Sequence, residues 1–129
     1  MEHQDNATSK QKLGYHAENH VCHYLQKAGL TLLMRNFRCK QGEIDLIMRE
    51  NDTIIFVEVR YRHNHQYGSA VESITVSKQN RIRRAAQIYL QRYDPDERFF
   101  WRYDWAGVST LPNGKFAVEW IPNAWEEDY

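Results

Sequence analysis

The sequence predicts one α/β domain with the element order α-β-β-β-α-β-β, a mixed sheet with helices packed on its faces. Three observations carry this. Apolar residues recur at helical spacing in two stretches, about 10–28 and 77–93. Around them lie runs rich in β-branched and aromatic residues, cut by turn residues. The chain has 129 residues, the size of a single domain. Residues 10–129 are read as that domain, behind a polar, patternless and disordered tail at 1–9.

From about Lys10 to Ala28, the residues Leu13, Ala17, Val21, Tyr24, Leu25 and Ala28 form one apolar stripe, and Gly29 ends the helix as a C′ glycine. Leu30 to Arg38 reads as a strand broken by Gln41-Gly42, and Glu43 to Arg49 as a second. Asn51-Asp52 joins that strand to a third, Thr53 to Arg62, as a hairpin. Its run Ile54-Ile55-Phe56-Val57 is apolar on both faces, the mark of a central strand covered on both sides. His63 to Val76 reads as a loop long enough to suspect function.

Ser77 is placed to cap a second helix reaching about Tyr93. Its stripe is Ile82, Ala85, Ala86, Tyr89, Leu90 and Tyr93, and Asp94-Pro95-Asp96 stops it. Phe99 to Leu111 and Phe116 to Ile121 then pair across Pro112-Asn113-Gly114. Pro122 to Tyr129 is read as an acidic tail that packs only through Trp125.

Composition bounds the function. With 42% hydrophobic and 26% charged residues the chain is an ordinary globular one. Its 17 basic and 17 acidic residues cancel, which argues against a strongly basic nucleic-acid coat but leaves local patches open. Without an apolar N-terminal segment to direct secretion, Cys22 and Cys39 are expected as free thiols and the protein as cytoplasmic. No apolar run approaches the ~20 residues of a membrane span.

The chemistry concentrates on two strands. Alternate strand residues share a face, so Glu58 and Arg60 point the same way. Glu58 follows the four-residue apolar run, where an unpaired carboxylate is costly, so it calls for a cation: a metal or a basic side chain. Asp45 sits between Ile44 and Leu46 in the neighbouring strand, and hairpin pairing brings it beside Glu58. Two converging carboxylates suit Mg²⁺ or Mn²⁺, which take one or two carboxylates and keep several waters. Such an ion lowers the pKa of a bound water and stabilises charge developing on a phosphodiester. The plainer alternative pairs each acid with Arg60, Arg62 or a nearby basic residue.

Gly42-Glu43-Ile44-Asp45-Leu46-Ile47 followed by Phe56-Val57-Glu58-Val59-Arg60 resembles the D…(D/E)-x-K signature of the PD-(D/E)XK nuclease superfamily. Further matches are Gly14-x-x-Ala17-Glu18, Tyr67-Gly68-Ser69, Lys78-Gln79, Ala85-Ala86 and Tyr103-Asp104. With these the chain resembles the YraN family of uncharacterised, predicted endonucleases over about residues 13–121.

The resemblance implies a restriction-endonuclease-like three-layer fold and a metal-dependent nuclease acting on nucleic acid, DNA foremost, with branched DNA as one candidate substrate. It implies Asp45 and Glu58 as ligands of Mg²⁺ or Mn²⁺, with the Val59 carbonyl as a further donor. Glu18 is implied as a metal-site or supporting acid, as in the Holliday-junction-resolvase branch. Resolvase-like relatives leave a homodimer open, by analogy alone. The place usually filled by lysine holds Arg60, which keeps the charge but is larger and a poor general base. Arg60 is therefore expected to stabilise phosphate charge, and Lys78 is the hypothesised substitute for the lysine.

Arg35, Arg38, Lys40, Arg60 and Arg62 flank the expected site and form the candidate phosphate patch, with His63 and His65 in the loop beyond. His16, His20 and His23 share a face of the first helix; a solvated face explains them better than zinc, since no carboxylate or cysteine completes the set. Lys78, Arg81, Arg83, Arg84 and Arg92 spread round the polar arc of the second helix and mostly read as solvated. Trp101, Tyr103, Trp105 and Trp120 read as core or sheet-face residues, while Gln79 and Asp104 have no evident physical role. The rival to the enzyme is a nucleic-acid-binding or scaffold protein that keeps the fold without turnover. Arg60 and the neutral net charge favour the rival. The clustered acids favour the enzyme, because a binding module gains nothing from acids near phosphate.

Overall fold

In the computed structural model, which describes residues 8–62 and 74–127, the elements follow the predicted order. They are α1 (Ser9–Lys27), β1 (Thr31–Cys39), β2 (Gly42–Glu50), β3 (Thr53–Arg62), α2 (Val76–Tyr93), β4 (Phe100–Thr110) and β5 (Phe116–Trp125). The five strands form one sheet in the order β1-β2-β3-β4-β5, antiparallel throughout except for the parallel pair β3–β4. A parallel pair needs a crossover, and α2 lies in the connection that supplies it.

Two cores follow from the strand period of two. Ile54 and Phe56 pack with Ile82, Ala85 and Ala86 of α2, while Ile55 and Val57 pack with Ala17, Val21 and Leu25 of α1. The helices thus cover opposite faces and the molecule has three layers. β3 is the central strand, as its unbroken apolar run predicts.

Several boundaries differ from the sequence reading, each for a local reason. Helix α1 starts earlier: Thr8 caps it, its hydroxyl accepting from the Gln11 N–H while the Gln11 side chain accepts from the Thr8 N–H. The expected disordered tail otherwise lies outside the described residues. Tyr24 and Ala28 are exposed, and the stripe packs through Ala17, Val21 and Leu25. Gly29, at φ 103°, closes the helix as predicted, with the Leu30 N–H reaching back to Leu25 O. Leu30 thereby belongs to the cap and not to β1.

Thr75, not Ser77, caps α2, accepting from the Lys78 N–H. Val76 is thus helical, and most of the predicted loop, residues 63–73, lies outside the described residues. Tyr93, expected in the buried stripe, is exposed. Strand β5 runs on to Trp125 instead of stopping at Ile121, because Asn123 takes φ 53° and absorbs a register shift against β4. The last segment therefore packs through more than Trp125: the Glu127 carboxylate accepts from Trp101 Nε1 at 2.9 Å and from the Tyr103 hydroxyl. No described helix is long and apolar enough to cross a membrane, and both cysteines are free.

Candidate metal centre

The β2–β3 ladder runs from the Asn51-Asp52 turn to the pair Leu46↔Val57. One residue further along each strand stand Asp45 and Glu58. There the Asp45 Oδ2 accepts the Val59 N–H at 2.8 Å, so the carboxylate is tied to the strand beside its neighbour.

Strand alternation slips at this point. Ile44 and Ile47 both pack on the α2 side, although three residues apart, while Leu46 and Met48 pack on the α1 side. On β1 the residue between the pairs Arg35↔Leu46 and Phe37↔Ile44 is Asn36, at φ 52°. A residue that tolerates the left-handed region therefore sits opposite Asp45, where the two strands change face together.

The two acids meet in a cleft of about 470 Å³ lined by Cys39, Gly42, Val59 and Ile82, by the acids Glu43, Asp45 and Glu58, and by the cations Arg38, Arg60, Lys78 and Arg81. Glu58 is 5% exposed, and the Lys78 ammonium lies 2.8 Å from its Oε1. Asp45 has no cation of its own in the described ion pairs. Burial, then the charge of Glu58, and more weakly that of Glu18, push its carboxyl up to about 8 against the opposing Val59 N–H bond.

Helix α2 reaches the cleft because Gly42 lets it in. A Cβ at Gly42 would lie 2.8 Å from the Arg81 carbonyl oxygen and 3.2 Å from its Cβ. That close approach brings the first turns of α2, and with them Lys78 and Arg81, over the strand ends.

The remaining predicted site residues divide. Arg60 lines the cleft on the same side as Glu58, as strand alternation predicts. Arg38 also lines it while pairing with Glu43 at 3.1 Å. Lys40 is exposed in the β1–β2 turn and does not line the cleft, and Arg62 ends β3 beyond it. His63 and His65 lie outside the described residues, as does Tyr67-Gly68-Ser69.

Arg35 points the other way, onto α1. Its Nη1 donates to Asn19 Oδ1 at 2.5 Å and its Nη2 lies 3.7 Å from Glu18 Oε1. Burial raises the Glu18 carboxyl, opposed chiefly by Arg35. No three His, Cys, Asp or Glu side chains among the described residues are grouped to hold one ion together, so Glu18 stands apart from the Asp45–Glu58 pair. His20 instead packs edge-on against Phe116, with ring centres 5.3 Å apart.

Arg81, expected in the solvated arc of the second helix, lines the cleft instead; its place three residues after Lys78 puts both on one helix face. Asp104 now has a role: fully buried, it accepts from Arg102, Trp120 Nε1 and the Asn123 N–H, tying β4 to β5. Gln79 donates to the Ile74 carbonyl and braces the start of α2.

The donor set fits a hard divalent cation. Two oxygen donors, the buried Glu58 and the half-buried Asp45, stand side by side, Asp45 without a counter-charge among the described ion pairs, and such ions take few carboxylates and keep their waters. Residues 17–108 match the uncharacterised protein family UPF0102. The chain is 41% identical over 119 residues to a UPF0102 protein of Coxiella burnetii, covering 92% of this chain and 96% of that one. It is 44% identical over 118 residues to one of Nitrosococcus oceani (92% and 94%), and 46% identical over 120 residues to one of Nitrosomonas eutropha (93% and 98%).

Proposed function

The chain belongs to the uncharacterised protein family UPF0102, and for this member we propose a metal-dependent hydrolase of nucleic-acid phosphodiester bonds. The observation that carries it is the pairing of Asp45 and Glu58 at the floor of a cleft ringed by Arg38, Arg60, Lys78 and Arg81. Acids alone would repel a phosphate and cations alone would merely bind it. The combination suits a bound cation below and a phosphate above. The resemblance to the PD-(D/E)XK superfamily and the YraN family supports the same reading.

Asp45 and Glu58 hold Mg²⁺ or Mn²⁺, with the Val59 carbonyl as a further donor. Bound there, the ion supplies Lewis acidity and a water of lowered pKa. The chain's own groups do the rest. The Val59 N–H fixes Asp45 Oδ2 and leaves its other oxygen for the cation. Lys78, 2.8 Å from Glu58, would stabilise charge that develops on a phosphate bound in the cleft. Arg60 keeps its cationic fork beside them. An unchanged cleavage rate in Lys78→Ala would remove Lys78 from this scheme.

The test is cleavage of labelled duplex, single-stranded, flapped and four-way-junction DNA with Mn²⁺ or Mg²⁺. Wild type is run beside Asp45→Asn and Glu58→Gln. Cutting that both variants abolish supports the enzyme and names the substrate. A second reading, a nucleic-acid-binding or scaffold protein without turnover, is favoured by Arg60 in the lysine place. The absence of cutting on every substrate, with folded protein and saturable DNA binding, would select it.

A further inference from the structure

Helix α2 has a second polar flank, apart from the one that brings Lys78 and Arg81 to the cleft. Asn80, Arg83, Arg84 and Gln87 follow the i, i+3, i+4, i+7 spacing of one helix face. With Glu127 they line a depression of about 280 Å³. On the other side of Glu127, a depression of about 330 Å³ is lined by the rings of Phe100, Trp101, Tyr103 and Trp125. The Glu127 side chain is thus the partition between a stripe of amides and guanidiniums and a wall of aromatic rings.

Glu127 is held there as an anion. Its Oε2 accepts from Trp101 Nε1 at 2.9 Å and from the Tyr103 hydroxyl, while Arg83 Nε and Nη2 donate to the Glu126 carbonyl at 2.9 and 2.6 Å. Tyr103 is buried, and burial first, then Glu127, hold its hydroxyl protonated well above the ordinary tyrosine range, so it stays a donor. Trp101 keeps part of its ring open to solvent. Among the described residues, the acids that line either depression are Glu126 and Glu127, both of the C-terminal segment. The rest of the lining contributes Arg83, Arg84 and Arg102, the last already paired with Asp104. Without that segment the groove is cationic and aromatic.

We propose that this groove is a second contact for nucleic acid, seating a backbone phosphate where the Glu127 carboxylate now sits and stacking an unpaired base on Trp101. The inference rests on the nucleic-acid reading of the cleft and deepens it by naming an unpaired strand as the partner. A phosphate oxygen accepts from the same donors as a carboxylate oxygen. An indole takes the face of any base, but only of one that has left a duplex. Lys78, Arg81 and Arg84 stand at three-residue intervals on α2, so cations run from the cleft to the groove. Glu127 is the built-in competitor: being tethered, it acts at high effective concentration, and a strand has to displace it.

The experiment is fluorescence anisotropy of a labelled single strand and of the matching duplex, in Ca²⁺ and across a salt series. The set is wild type, Glu127→Ala, Glu127→Gln, and Glu127→Ala combined with Trp101→Ala or Trp101→Phe, with Arg60→Ala/Arg81→Ala as the cleft control. Glu127→Ala is expected to bind the single strand about tenfold tighter than wild type, the scale of one stacked base, and the duplex within about threefold. Its single-strand salt slope should steepen by about 0.7, one phosphate more. Adding Trp101→Ala is expected to abolish the gain, whereas Trp101→Phe, which keeps a ring, retains most of it.

A folded Glu127→Ala that binds the single strand no tighter overturns the proposal and leaves Glu127 a brace of the fold. Single strand and duplex tightening alike overturn it too, since that is the mark of one repelling charge removed. So does a gain that survives Trp101→Ala. Should Glu127→Ala fail to fold, Glu127→Gln, which keeps an acceptor for Trp101 and Tyr103, decides on the same criteria. DNA binding absent from every variant would sink the nucleic-acid reading itself. Binding that depends on Arg60 and Arg81 but is indifferent to Glu127 and Trp101 would sink the present inference alone.

Discussion

Asp45 is where function and stability pull apart. Its carboxyl titrates near 4 in an unfolded chain and is pushed up to about 8 by burial and by Glu58. Between those values the folded protein holds a proton that the unfolded chain has released. Stability therefore falls as pH rises through that window and is least affected below about 4. Asp45→Asn removes the titration. In chelator it is expected to raise the melting temperature by about 5 °C or more at pH 8, and by little at pH 4. Mn²⁺ should recover the deficit in wild type and leave the variant unmoved. Equal melting temperatures of the two proteins at pH 8 would refute a desolvated Asp45 without its own counter-charge. The sequence made both acids visible, since one apolar run and one hairpin suffice to put Glu58 beside Asp45. It did not reveal which cation each acid would meet. Lys78 reaches Glu58 and Arg35 reaches Glu18 across elements, and no local spacing encodes such contacts.

At the scale of elements, two small features set how the parts meet. Gly42 allows α2 to lie against the β1–β2 turn, with the Arg81 carbonyl where a Cβ would be. Gly42→Ala must push the helix outward, which is expected to cost about 1–3 kcal/mol. The shift also draws Lys78 from Glu58, so Mn²⁺ affinity should change with stability. Denaturant unfolding and Mn²⁺ titration of the one variant check both, and wild-type values in each would show that the helix has slack. Asp104 does for β4 and β5 what Gly42 does for α2. Asp104→Ala leaves the Trp120 and Asn123 N–H groups and the Arg102 guanidinium without their shared acceptor, and about 3 kcal/mol of stability should go with it, read by denaturant unfolding. A loss under about 1 kcal/mol would mean that water replaces the carboxylate. Period and turn chemistry carried the element order, but both features escaped them. Gly42 reads as a strand breaker until α2 is seen against it, and the extension of β5 depends on a bulge at Asn123 that only β4 explains.

For the whole molecule, the balance of 17 basic against 17 acidic residues means that attraction for a polyanion has to come from a local patch and not from net charge. The three layers were legible because a chain with a doubly apolar strand has to be covered on both sides. Which surface would carry the other cations was not, since Arg35 and Lys40 looked equivalent to Arg38 in the sequence. The fold turns Arg35 onto α1, leaves Lys40 in a turn, and brings in Arg81 from α2. Four cations line the cleft, two of them already engaged with acids. Each phosphate neutralised contributes about −0.9 to the slope of log K against log salt for duplex DNA, so binding at this cleft should show a slope of about −2 to −4. Arg60→Ala and Arg81→Ala should each flatten it by about one, whereas Lys40→Ala should not. Fluorescence anisotropy of labelled DNA across a salt series, in Ca²⁺ to hold off cleavage, measures this directly. A steeper slope, near that of a protein making many phosphate contacts, would place the binding surface well beyond the cleft. Insensitivity to Arg60 and Arg81 would remove the cleft from DNA binding altogether.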